Sequence, residues 1–150
     1  QSATLTSTFS TSTTISSGGA AVTGLSVTVS PYYSTSKILV FGHIVSGYTN
    51  GYTQAYYKLK RNGSEIGNGV AVSNRPGVIA RSYLPDGNVC QTDPFFFLDS
   101  PGTTGSLTYQ IYLGTESTSY TSYINRTQND SDTINGSRGS STITVMEIAQ

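Results

Sequence analysis

The chain has one cysteine, one histidine, one methionine and no tryptophan in 150 residues, and only 11% of its residues are charged. Each scarcity excludes something. With Cys90 alone, no disulfide can form within the chain, so stability has to come from burial or from contacts between subunits. Eight basic side chains balance eight acidic ones, leaving no long-range field to draw in phosphate backbones or anionic lipid. Neither nucleic acid nor a membrane surface is therefore expected as a partner. Long apolar runs are missing too, against the roughly 20 residues that a spanning helix needs, so no membrane insertion is expected. No charged-then-apolar leader opens the chain. Beginning at Gln1, it reads as the excised end of a longer polypeptide.

What is present is Ser, Thr, Asn, Gly and Tyr, the polar complement of an extracellular or virion β-protein. The length suits one well-buried core, since domains cluster around about 100–150 residues. Residues 1–150 are taken as a single β-sandwich domain, with 1–19 supplying N-terminal edge strands or a connection to a stalk. Ala3 to Ile15 carries sparse apolar residues at Leu5, Phe9 and Ile15. After Ser16 to Gly19, Leu25, Val27 and Val29 alternate with polar residues until Pro31, which is the period of a half-buried strand.

Lys37 to Ser46 is different. Ile38, Val40 and Ile44 point one way while Leu39, Phe41, His43 and Val45 point the other, so both faces are apolar. Such a strand needs a cover on each side, the second being a neighbouring subunit or the N-terminal strands. Gln54 to Arg61 alternates again, and Asn62-Gly63 is a strong hairpin signal with a short return strand at Ser64 to Ile66. Strands follow at Val78 to Leu84, at Leu107 to Leu113, at Tyr120 to Arg126 and at Ile143 to Ile148. Phe95 to Leu98 is read as a run buried on both faces. With about eight to ten strands, no helix and no internal repeat, the pattern predicts an all-β antiparallel β-sandwich with jelly-roll topology.

Chemistry is sparse. His43 lies mid-strand and reads as a core or interface histidine with a satisfied hydrogen bond. One His and one Cys do not make a zinc site, and no nucleophile elbow, phosphate loop or dinucleotide fingerprint occurs. The acids Glu65, Asp86, Asp93, Asp99, Glu116, Asp130, Asp132 and Glu147 fall mostly in turns, without the desolvating neighbours a glycosidase acid needs. The protein is expected not to be an enzyme and to need no cofactor. Asn129 to Asp132 alternates oxygen ligands but lacks the Gly and bidentate Glu of a calcium loop, so no metal is expected. Sequons stand at Asn62, Asn125, Asn129 and Asn135. Gly47 to Tyr52 sets Tyr48, Asn50 and Tyr52 in an apparent loop, which suits stacking on a sugar face and bonding its hydroxyls. Tyr is equally a good strand residue.

Several phrases, TGLSVTVSP (Thr23 to Pro31), SKILV (Ser36 to Val40), FLDSP (Phe97 to Pro101), YINR (Tyr123 to Arg126), NDSD (Asn129 to Asp132) and RGSSTITVMEI (Arg138 to Ile148), carry a resemblance. Over Thr23 to Ala149 the chain resembles the C-terminal jelly-roll domains of phage tail or head fibre proteins of the marine phage and cyanophage type. The resemblance implies a trimeric jelly roll similar to tumour-necrosis-factor-like and complement-head domains, located on the virion surface. It implies a homotrimer on a fibre; if that domain binds a host surface glycan through loops at one end of the sandwich, the candidate contacts are Tyr48, Asn50, Tyr52, Asn125, Arg126, Asp130 and Asp132. The alternatives are a structural decoration, cement or fibre-cap protein that meets other virion proteins, and a secreted bacterial lectin. No coiled-coil or collagen-like stalk precedes the tip in this sequence.

Overall fold

The computed structural model of the protein describes residues 1–48, 53–84 and 87–150. Among them are the strands β1 (Ser2–Leu5), β2 (Phe9–Thr11), β3 (Ala20–Val29), β4 (Lys37–Tyr48), β5 (Thr53–Arg61), β6 (Ser64–Glu65), β7 (Ala80–Leu84), β8 (Gln91–Asp99), β9 (Leu107–Gly114), β10 (Ser122–Ile124) and β11 (Ser141–Ile148). One 3-10 turn at Ile15–Ser17 is the only helical element among the described residues.

The strands form two antiparallel sheets. In one, β1, β11, β4 and β8 lie side by side, with β10 and β2 extending the β4 edge beyond β11. In the other, β3, β9, β5 and β7 are neighbours, and β6 pairs with the end of β5. The chain passes repeatedly from one sheet to the other, which gives the expected sandwich a jelly-roll connectivity.

Period-2 alternation decides which side chains enter the core. Ile38, Val40 and Ile44 of β4 meet Tyr57 and Leu59 of β5 and Tyr109, Ile111 and Leu113 of β9, all fully buried. Each aliphatic side chain so removed from water contributes about 1.5–3 kcal/mol. In β3 the alternation slips: the register with β9 shifts between Ala21 and Ser26, so Val22 and Leu25 both point inward. Gly24 sits in this bulge at φ +91°, where an added Cβ would lie 2.8 Å from Leu5 Cδ1. The Asn62-Gly63 hairpin forms as expected, with φ of +49° and +81°.

Two expectations need correction. The N-terminal strands do not cover β4, because β1 hydrogen-bonds edge-on to β11 and β2 to β10 within the same sheet. Nor is Phe95 to Leu98 buried on both faces: it lies within a longer strand that alternates, with Phe95 inward at 4% exposure and Phe96 outward at 80%. Strand β8 stands at the sheet edge, and Phe96 and Leu98 on its outer face are exposed.

Candidate functional site

The outer face of the β1–β11–β4–β8 sheet is the chemically distinctive surface. Strand register sets Met146, Leu39 and Leu98 in one row across β11, β4 and β8, and Thr144, Phe41 and Phe96 in the next. Directly paired residues of antiparallel strands share a face, so these rows form one apolar patch. Phe96 is 80% exposed, Met146 52%, Leu98 45% and Ile148 38%. Leu39, Phe41 and Val45 are half-buried, Val45 against Gly139. His43 lies on the same face, half-buried, with Nε2 3.0 Å from the Ser140 carbonyl. On the opposite parity of β11, Glu147, paired with Ile38, accepts hydrogen bonds from the backbone N–H groups of Tyr32 (2.7 Å) and Tyr33 (3.4 Å), whose rings meet edge to face.

The residues expected to bind a glycan are scattered over different environments. Tyr48 is 1% exposed and its ring lies 6.2 Å from that of Tyr120, so it is a core residue that offers no face to a sugar. Asn50 and Tyr52 lie outside the described residues. Asn125 is fully buried at φ +61°; its amide donates to the carbonyls of Leu5 (2.7 Å) and Ser7 (2.9 Å) and its oxygen accepts from Ser141 Oγ (2.7 Å). It ties the N-terminal strand to the start of β11, and in the folded chain the sequon there is closed to a glycan.

Arg126, Asp130 and Asp132 do come together. Arg138 grips Asp130 through Nε (3.0 Å) and Nη2 (2.7 Å), Arg126 approaches the same carboxylate at 3.7 Å, and the Arg126 guanidinium lies 4.0 Å from the centre of the Tyr123 ring. Asp130, Asp132 and Arg138 line a shallow cavity of about 350 Å³. Two guanidinium groups occupy the Asp130 carboxylate, so the acidic run is an ion-paired loop and not a free set of oxygen ligands.

Sequence reasoning missed the two buried polar networks that join the sheets. Asp99 of β8 accepts from Arg61 Nη1 of β5 (2.7 Å) and from the Tyr109 hydroxyl of β9 (2.7 Å). Asp93 of β8 accepts from Gln91 (2.6 Å), from Tyr57 (3.2 Å) and, at very short range, from Ser82; Tyr57 is also 2.5 Å from Ser46 Oγ. Burial, and then the Asp93 charge, push the Tyr57 phenol far above its ordinary range. The same happens to Tyr109 through burial and its bond to Asp99. These acids hold strands together. The available signal was parity, since Asp93 and Asp99 share the inward face of β8 with Phe95 and Phe97.

No protein-family model and no curated protein matches the chain. Among solved structures it is similar to the infectious bursal disease virus Gx strain structure (13% identity, TM-score 0.43), to the infectious bursal disease virus VP2 subviral particle (10%, 0.42) and to the Gt strain structure (13%, 0.40). Each match covers 99% of this chain but only 37–38% of the other.

Proposed function

We propose that the chain is a non-catalytic virion-surface domain that works as a homotrimer and presents its loops to the host cell surface, with a glycan as the receptor. The observation that carries this is the uncovered apolar face at Phe96, Leu98 and Met146. An apolar patch of this kind marks an interaction surface. Covering each of these side chains contributes roughly 1.5–3 kcal/mol at full burial, a scale that competes with the about 4–15 kcal/mol cost of association. The N-terminal strands are engaged elsewhere, which leaves a second copy as the cover. The trimer and the host-surface role rest on the resemblance to phage fibre domains. Light scattering on the purified chain tests the assembly: a trimer is expected, and a stable monomer at micromolar concentration overturns it.

A second reading has an observation of its own. Tyr48 and Asn125 are buried and Asp130 is ion-paired, so much of the expected glycan surface is used internally. That favours a decoration, cement or fibre-cap protein that contacts other virion proteins. Saturable binding to host cells supports the receptor reading; binding only to virus particles supports the structural one.

A further inference from the structure

Away from the loops discussed so far, a groove of about 440 Å³ opens between the Ile15–Ser17 turn, β5 and the loop that precedes β7. Its size falls within the roughly 300–1,000 Å³ of small-molecule sites. Both walls are fixed by the backbone. On one side Val72 and Arg75 exchange N–H···O bonds of 3.0 Å across a tight turn, and Gly69 N–H bonds the Val78 carbonyl at 3.0 Å. Gly77 packs so closely there that an added Cβ would fall 2.0 Å from the Gly69 carbonyl oxygen. On the other side Ile15 N–H bonds the Thr115 carbonyl at 2.8 Å, and a Cβ on Gly114 would meet the Ile15 backbone at 2.7 Å. The groove is preorganised, and a ligand need not order it.

Some of the polar groups lining it are used by the fold, Ser16 by Thr14 and Lys58 by Glu65, and others are not. Arg61, Arg81, Arg126 and Arg138 are each engaged by an acceptor side chain. Arg75 is the one guanidinium with no hydrogen bond or ion pair from its side chain among the described residues; the Asn74 amide, beside it on the same turn, and the Glu116 carboxylate, which follows β9, likewise make no side-chain hydrogen bond or ion pair there. Lys58, also in the lining, is neutralised by Glu65 at 2.6 Å. Tyr56 is buried except for its edge, and its phenol is raised by burial and then by the Glu116 charge. It therefore remains a hydroxyl donor and acceptor at neutral pH.

We infer that this groove binds an acidic saccharide unit of the uronic or sialic acid class. Arg75 takes the carboxylate in its planar fork, while Glu116, Asn74 and the Tyr56 hydroxyl take ring hydroxyls. A cationic group and an acceptor-only carboxylate in the lining of one groove match a ligand with one anionic group and several hydroxyl donors. A phosphate, which brings charge without hydroxyls, leaves Glu116 repelled. The inference rests on the glycan half of the proposed function and assigns the contact to this groove in place of the Tyr48 and Asn125 loops.

Calorimetric titration of the full chain with sodium glucuronate, N-acetylneuraminate and glucose tests it. At least one acidic sugar is expected to saturate, glucose to bind far more weakly, and Arg75→Ala to weaken the acidic sugar about tenfold or more, with Arg75→Lys retaining part of the affinity. Glu116→Gln is expected to weaken it a few-fold. Absence of saturation by both acidic sugars, equal binding of glucose, or indifference to Arg75→Ala overturns the inference. Light scattering on the same samples separates the two readings. A trimer that binds no acidic sugar discards the groove alone, and a monomer that binds one through Arg75 discards the assembly alone.

Discussion

Phe96 and Phe41 stand directly opposite each other across the β8–β4 ladder on the outward face, and Phe96 leaves 80% of its surface in water. An aromatic pair in that position gains little within one chain. Replacing Phe96 with Ser, alone or with Leu98→Ser, is expected to weaken self-association by about 2–4 kcal/mol per subunit contact while leaving folding of the single chain intact. Light scattering together with thermal melting checks it: a variant that dissociates with its sandwich unfolded would point to core damage, and unchanged assembly would remove this face as the interface.

The Asp99 carboxylate is held between Arg61 and Tyr109 with 8% of its side chain exposed. Asp99→Ala strands a guanidinium beside the core and is expected to cost about 3–5 kcal/mol. Tyr109→Phe removes only one donor and is expected to cost about 1–3 kcal/mol. Urea unfolding of both variants measures the difference, and equal costs would show that the phenol, and not the ion pair, dominates the network.

Alkaline pH should destabilise the protein through the two buried phenols. Folding raises the Tyr57 and Tyr109 pKa above the unfolded value. Their contribution is therefore complete below about pH 10 and is lost as pH rises from there toward the folded values. Tyr57→Phe and Tyr109→Phe should each flatten the alkaline limb of a stability–pH profile. A wild-type stability that stays level between about pH 10 and 11.5 contradicts this.

Asn125 supplies two amide donors to buried carbonyls of the Leu5–Ser7 segment. Asn125→Asp puts a carboxylate against those carbonyl oxygens and is expected to cost about 3 kcal/mol or more at neutral pH, with part regained on acidification as the acid becomes a donor. Asn125→Ala should cost about 1–3 kcal/mol and show no such recovery. Chemical denaturation at pH 4 and pH 7 distinguishes them; identical pH responses of the two variants would mean that the N-terminal strand is held by other contacts.

Local rules made much of the fold legible. Alternation at Leu107 to Leu113 and at Ile143 to Ile148, the apolar two-sidedness of β4, and the Asn-Gly turn are all properties of neighbouring residues, and a period of 2 fixes faces without reference to partners. Phe95 to Leu98 departs from expectation for the same reason: four consecutive apolar residues carry no sign of whether the outer face is covered. The strand-joining roles of Asp93 and Asp99 are not legible locally, because their partners, Tyr57, Ser82, Arg61 and Tyr109, lie 10 to 38 positions away along the chain.

Composition and alternation are enough to establish an all-β, charge-balanced domain without an internal disulfide, and to mark β4 as a strand with two apolar faces. Which residues stay available for binding follows from the packing of the two sheets and not from local pattern. That packing placed Tyr48 and Asn125 in the interior, sent the N-terminal strands to the sheet edges, and brought Arg75 and Glu116 to one groove from loops 41 positions apart. The physical reason is range: side-chain parity is set by the backbone within a few residues, whereas burial, ion pairing and the meeting of loops depend on which strands the sandwich lays side by side.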